Sequence, residues 1–235
     1  MPKGPVLRDR TVAEMLDGRL PTTTIRAVAT LLSGGLISFP TDTVYALAAS
    51  LARPAALARL YHVKRRHRDK PIPVLLAAAA GVAMVAKDID PRIARFLEAC
   101  WPGQVTVILL AQDDLPDAVT GRDADEQRTV AVRVPDHAFA RSLIQRAGGA
   151  IAATSANESG RAPCLTAQDV LRLLGPRLDL VVDGGPAPGG VASTIVTLGV
   201  SGPELVREGV MPAAMLMESW KMAGIHPNAS SPPPR

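Results

Sequence analysis

Lys64-Arg65-Arg66-His67-Arg68-Asp69-Lys70-Pro71 runs directly into Ile72-Pro73-Val74-Leu75-Leu76. The first segment places five cations and one histidine in seven positions, in a chain whose formal net charge is only +4. Like charges at this density repel one another, so the run is either a solvated helix end or a surface that holds something anionic. The second segment is a short apolar stretch suited to a buried strand, and Pro71 is placed to end a preceding helix. Charge therefore sits at a helix-to-strand junction. Nucleic acid, nucleotide phosphates and an acidic partner are the candidate ligands.

The same alternation extends in both directions. Thr22 to Leu32 carries Ile25, Val28, Ala29 and Leu32 at helical spacing, with threonines to cap it and Gly34-Gly35 to close it. Leu36–Phe39 reads as a strand, Pro40–Thr43 as a loop, and Pro54 as the start of the helix that leads into the basic run. Downstream, Val105–Leu110, Thr129–Val134, Ile151–Ala153, Leu178–Val182, Ser193–Thr197 and Glu204–Arg207 read as strands. Helices are expected at Val82–Ala86, Pro91–Ala99, Phe139–Ala147, Thr166–Leu174 and Ala213–Met222. Strands and helices interleave without a linker. The fold class is α/β, a single domain with a twisted mixed sheet and flanking helices. Residues 1–21 read as a flexible N-terminal arm, 22–210 as the domain, and 211–235 as a C-terminal helix with a Pro-rich tail.

Composition narrows the function. Of 235 residues, 47% are hydrophobic but only 3% aromatic, so the core is aliphatic and base stacking on exposed rings is disfavoured. Cys100 and Cys164 lack metal spacing and disulfide density, which suits a reducing compartment. No apolar run reaches membrane-spanning length and the first residues carry no signal-like apolar stretch, so a soluble, cytoplasmic protein without membrane contact is expected. His62, His67, His137 and His226 accompany neither a nucleophile nor a carboxylate cluster, and no metal site is expected. The P-loop and the Gly-x-Ser-x-Gly elbow are missing, and Gly184-Gly185…Gly189-Gly190 reads as a turn or lid.

What remains is a set of strand ends rich in hydroxyl and basic residues: Thr41-Asp42-Thr43, Thr129 with Arg133, Thr154-Ser155-Ala156-Asn157, Ser193-Thr194 and Arg207. Singly, such residues cap helices and close turns. Jointly they suit a ligand site, because open α/β sheets bind ligands at strand ends.

These residues also carry a resemblance. Pro40-Thr41-Asp42-Thr43-Val44-Tyr45, Lys64-x-Arg66-x-x-x-Lys70-Pro71, Trp101-Pro102-Gly103, Thr129–Pro135, Ser155-Ala156-Asn157-x-Ser159-Gly160, Ser193-Thr194-Ile195-Val196 and Val206-Arg207-x-Gly209 occur in this order. Over residues 25–210 the chain resembles the YrdC/TsaC family of threonylcarbamoyl-AMP synthases. The resemblance implies a YrdC-like fold with a basic concave cavity. It implies a nucleotidyltransferase, an L-threonylcarbamoyladenylate synthase that turns L-threonine, bicarbonate and ATP, with Mg²⁺, into threonylcarbamoyl-AMP and pyrophosphate. The product is passed to a tRNA-modifying transferase complex, and direct RNA binding stays open. Carried over by position, Thr43, Arg133, Ser155 and Ser193 hold L-threonine, with Arg133 gripping its carboxylate bidentately. Lys64, Arg66, Lys70, Thr129, Asn157 and Arg207 hold ATP, Lys64 and Arg66 by charge neutralisation. No protein nucleophile is expected. Ala46, Gln104, Leu165, Ala192 and Glu208 depart from the commonest family pattern, and Ala46 and Arg207-Glu208-Gly209 also resemble the YciO-type paralogues. Such a paralogue, or a double-stranded RNA-binding module without synthase activity, is the rival reading.

Overall fold

The computed structural model describes residues 13–199 and 201–224; the start of the expected N-terminal arm, His226 and the Pro-rich tail lie outside them. The elements in order are β1 (Glu14–Asp17), α1 (Pro21–Leu32), β2 (Ile37–Phe39), β3 (Ala46–Ala49), α2 (Pro54–Lys64), β4 (Val74–Leu76), α3 (Pro91–Cys100), β5 (Val105–Leu110), β6 (Thr120–Arg122) and β7 (Arg128–Arg133). They continue with α4 (Ala138–Arg146), β8 (Ala150–Ser155), α5 (Ala167–Leu174), β9 (Leu180–Asp183), β10 (Thr194–Gly199), β11 (Gly202–Arg207) and α6 (Ala213–Gly224). Short 3₁₀ turns lie at Ala79–Met84, Asp117–Val119 and Gly175–Arg177.

One mixed sheet runs β1-β9-β2-β3-β8-β4-β7-β5-β10-β11, with β6 paired to β7. Its two faces follow from strand periodicity. On β3, Leu47 and Ala49 enter one core while Ala46 and Ala48 enter the other. The first core contains Val105, Val107, Val130, Val132 and Val196 together with residues of α2, α3, α5 and α6. The second is closed by Ala27 and Leu31 of α1 and by Ala140, Leu143 and Ile144 of α4. Thr106, Arg133 and Ile195 alternate with the first core's valines, so they face the opposite side of the sheet, toward the end that α1 and α4 leave uncovered. That uncovered concavity is where the site forms.

Three expectations are corrected here. Residues 14–17 are not a loose arm: β1 pairs in parallel with β9, Glu14 opposite Leu180 and Asp17 opposite Asp183. The sequence Glu-Met-Leu-Asp has little strand character of its own and is ordered by an edge more than 160 residues away. Helix α1 begins at Pro21 with no side-chain cap, and its buried face is Thr23, Ala27 and Leu31. Ile25, expected inside, is 62% exposed. Thr23 is tolerated inside because its hydroxyl donates to the Asp17 carbonyl at 2.6 Å. Finally, α2 ends at Lys64, well before Pro71, because Arg65 adopts a left-handed conformation (φ 49°) and the Arg65 and Arg66 amides close onto the His62 and Tyr61 carbonyls. The C-terminal helix also belongs to the domain: Trp220 of α6 meets Phe96 of α3 edge-on, ring centroids 5.5 Å apart.

Candidate functional site

The loop between β2 and β3 is folded on itself. Thr41 Oγ1 donates to the Val44 carbonyl at 2.7 Å and accepts the Thr43 and Val44 amides. This presents Asp42 and Thr43 toward β7, where Arg133 is held by three bonds. Its Nε donates to the Gly103 carbonyl at 2.8 Å, Nη1 to Thr43 Oγ1 at 2.9 Å and Nη2 to Asp42 Oδ1 at 2.6 Å. Both partners of the ion pair are nearly buried, Arg133 at 6% and Asp42 at 9% exposure. The loop at Gly184–Gly190 is pinned over this arrangement. Tyr45 Oη donates to the Gly185 carbonyl at 2.7 Å, and the Gly189 and Gly190 amides reach the Thr43 carbonyl. A Cβ on Gly189 would lie 2.9 Å from that carbonyl oxygen, so only glycine permits the approach.

At the neighbouring strand ends, Ser193 Oγ lies 2.8 Å from Thr106 Oγ1, and Arg207 Nη2 donates to the Ser193 carbonyl at 2.6 Å. Behind them the turn after β11 presses on the start of β10. A Cβ on Gly209 would come within 2.4 Å of three backbone atoms of Ala192, Ser193 and Thr194. Opposite, Arg66 folds back so that Nε meets the Lys70 carbonyl at 2.7 Å and Nη2 the Pro71 carbonyl at 2.9 Å.

Thr43, Arg66, Arg133, Ser155, Ser193 and Arg207 all line one open cavity of about 140 Å³. No acidic residue lines it among the described residues. Lys64 and Asn157 stand behind the wall: Lys64 Nζ donates to the Ser155 carbonyl at 2.7 Å and to Asn157 Oδ1, which also accepts Ser155 Oγ at 2.8 Å. Lys70 and Thr129 are not in the cavity lining. Lys70 is exposed, its carbonyl serving Arg66, and Thr129 lies on the same strand face as Arg133 but four residues away, roughly 13 Å along β7. A side-on grip by Arg133 is closed, because its Nε is spent on Gly103. Of the five guanidinium N–H groups three are engaged, leaving one on each terminal nitrogen.

Electrostatically this is an anion receptor. Burial holds the Arg66, Arg133 and Arg207 guanidiniums below their usual range, and for Arg207 the nearby charges of Arg66 and Arg133 act in the same direction. Lys64 is pushed down to about 7, chiefly by burial and then by the charge of Arg66. An incoming anion relieves this crowding of cations. Asp42 and Thr106 were assigned no role from sequence. Thr106 had a legible signal, a lone hydroxyl in the apolar run Val105–Leu110. Asp42 was noted only within the Thr41-Asp42-Thr43 strand end, with no role of its own, since an acid between two threonines also reads as a turn former.

A family model described as telomere recombination, covering Sua5, YciO and YrdC, matches residues 29–209. The chain belongs to the Sua5/YciO/YrdC family. It is 35% identical over 184 residues to the threonylcarbamoyl-AMP synthase of Bacillus subtilis (strain 168), covering 78% of this chain and 52% of that protein. The crystal structure of Pyrococcus abyssi Sua5 complexed with L-threonine superposes with a TM-score of 0.81 at 30% identity, over 89% of this chain and 61% of that one. The chain thus spans about half to three fifths of the length of these family members. Escherichia coli YciO matches with a TM-score of 0.72 at 22% identity, covering 86% of this chain and 96% of that one, a likeness of fold alone. The expected YrdC-like fold with its basic concavity is therefore found. Among the described residues no helix is long and apolar enough to cross a membrane.

Proposed function

We propose that the chain is an L-threonylcarbamoyladenylate synthase, a nucleotidyltransferase acting on L-threonine, bicarbonate and ATP. The observation that carries this reading is the convergence of Arg66, Arg133 and Arg207 with the hydroxyls of Thr43, Ser155 and Ser193 on one cavity, in a chain related to synthases of that name. A carbamate formed on threonine's amine attacks the α-phosphorus of ATP. The new bond is carbamate oxygen to phosphorus, and the bond to the bridging oxygen breaks, releasing pyrophosphate. Two anions must meet, so the site's first task is charge neutralisation and its second is alignment. Arg66 and Arg207, backed by Lys64, Asn157, Lys70 and Thr129, would serve the triphosphate. Arg133's two free N–H groups would take threonine's carboxylate, and Thr43, Ser155 and Ser193 its polar groups.

No group of three or more His, Cys, Asp or Glu side chains positioned for a metal occurs among the described residues. Mg²⁺ carried on the nucleotide's own oxygens and waters would add to charge neutralisation. The expected setting is the cytoplasm, with a tRNA-modifying transferase complex downstream. Superposition gives 30% identity to Pyrococcus abyssi Sua5 complexed with L-threonine against 22% to YciO, which supports the synthase reading over the paralogue. A second reading, direct contact with double-stranded RNA, is favoured by a groove outside the cavity lined by His62, Arg65, Arg66, Arg68 and Arg177, which suits phosphates without base readout.

The test is pyrophosphate release. Purified protein with ATP, Mg²⁺ and bicarbonate should release pyrophosphate only when L-threonine is added. Release that ignores threonine, or none at all, sinks the synthase reading.

A further inference from the structure

Two of the three hydroxyls placed around threonine have their protons spent. Thr41 Oγ1 gives its proton to the Val44 carbonyl, so Thr43 Oγ1, 3.0 Å away, donates to Thr41 while accepting Arg133 Nη1. Ser155 Oγ donates to Asn157 Oδ1 at 2.8 Å. Ser193 differs. Its Oγ meets Thr106 Oγ1 at 2.8 Å, and neither hydroxyl makes another hydrogen bond among the described residues. Two hydroxyls bring two protons and their mutual bond uses one, so the pair keeps one O–H and several lone pairs unspent. Both residues are nearly buried, and both line the cavity. An unspent donor beside unspent acceptors matches a ligand group that is itself both, a neutral hydroxyl. An anionic oxygen needs donors alone, and the arginines already supply those.

An aliphatic branch lies beside the pair. β10 runs parallel to β5 with Ile195 in register with Thr106. Ser193 and Ile195 are two residues apart, and both line the cavity while Thr194 between them does not. On its other side β5 pairs with β7, Val107 opposite Val132, so Thr106 and Arg133 adjoin. The chain that presents Ser193 is fixed, the Thr194 amide donating to the Gln104 carbonyl at 3.0 Å and Arg207 Nη2 to the Ser193 carbonyl. Three neighbouring strands thus set a guanidinium, a hydroxyl pair and an aliphatic branch side by side, at spacings of about 4.8 Å. A carboxylate close to a carbon that bears one hydroxyl and one methyl has the complementary pattern. We propose that Thr106 and Ile195 are specificity residues of the amino-acid subsite: the Thr106–Ser193 pair reads the side-chain hydroxyl of L-threonine, and Ile195 packs against its methyl. Each of the two groups that distinguish threonine is then sensed by a different residue. The inference rests on the synthase reading, which names the amino acid but leaves its methyl without a partner and Thr106 without a role.

The experiment compares binding of L-threonine, of L-2-aminobutyrate, which lacks the hydroxyl, and of L-serine, which lacks the methyl, by calorimetry on the full chain without nucleotide. Wild type should prefer threonine over either analogue by about 10- to 100-fold. Thr106→Val keeps the shape and removes the hydroxyl, so it should bring threonine and 2-aminobutyrate to within about threefold while the preference over serine persists. Thr106→Ser should restore discrimination. Ile195→Ala should do the reverse of Thr106→Val, lowering the preference over serine and sparing that over 2-aminobutyrate. Equal weakening of all three ligands by Thr106→Val overturns the proposal, since Thr106 would then only support the strand. So does a wild type that binds threonine and 2-aminobutyrate alike. Should Thr106→Val fail to fold, Ser193→Ala removes the other half of the pair and must lower the same ratio. If wild type binds no threonine at all, the synthase reading fails and this inference with it, a result recognisable before any variant is made.

Discussion

Replacing Arg133 with methionine should abolish measurable threonine binding and lower the free energy of unfolding by about 3–5 kcal/mol, the range for removing one partner of a buried ion pair. The volume is nearly kept, so the loss comes from charge. Asp42 would retain a carboxylate at 9% exposure with neither oxygen paired to a cation, and Thr43 and Gly103 would each lose a donor. The two effects separate in a second variant. Asp42→Asn together with Arg133→Met removes the stranded charge, so it should recover more than half of the lost stability in denaturant titration while threonine binding stays absent. If the double variant is no more stable than the single one, the pair is not what holds the 40–43 loop against β7. If Arg133→Met loses nucleotide affinity but binds threonine normally, the assignment of Arg133 to the amino acid is wrong.

Much of this architecture was legible because local and global preferences agree. Val105–Leu110 is a continuous, largely β-branched run and Thr129–Val134 alternates, and the structure places strands there within a residue. Thr166 does cap α5, accepting the Asp169 amide at 3.1 Å. Legibility fails where long-range contact overrides the local signal. β1 exists because β9 offers an edge, and α1 buries Thr23 instead of Ile25 because the Asp17 carbonyl satisfies the hydroxyl. The basic run shows both outcomes. Its cations do meet at a helix end, but the left-handed turn at Arg65 sends them in different directions. Lys64 goes into the wall of the site, Arg66 to its rim and Lys70 to solvent. Arg68 lies 5.7 Å from the centre of the Tyr61 ring, and His67 pairs with Asp69 at 2.8 Å, so these two join the outer groove and the solvent rather than the cavity. Hydroxyl-rich strand ends could be read as a site from sequence, whereas the pairing of Thr106 with Ser193 is visible only once β5 and β10 lie side by side.

Lys64 yields the other large effect, and its sign can be worked out. In the folded protein without ligand its ammonium loses a proton near pH 7, well below the ordinary 10.5. Below pH 7 folded and unfolded chains both carry the charge, and burial exacts its full penalty. Between about 7 and 10.5 the unfolded chain binds the extra proton, so Lys64's contribution makes stability rise with pH in that window. Nucleotide binding must run the other way. A triphosphate at the cavity favours the charged lysine, so ATP affinity should be highest below pH 7 and fall by up to about tenfold per pH unit above it. At pH 8 the protein should therefore take up close to one proton on binding ATP, measurable by calorimetry in buffers of different ionisation enthalpy. Lys64→Met should bind ATP at least about 100-fold more weakly at pH 6.5, in line with losing a buried charge-assisted contact, and should show no such proton uptake. Equal uptake by wild type and variant would place the titrating group elsewhere. Uptake confined to the wild type would establish that Lys64, almost wholly buried behind the cavity wall, acts on the nucleotide through its charge and through the Asn157 side chain it holds.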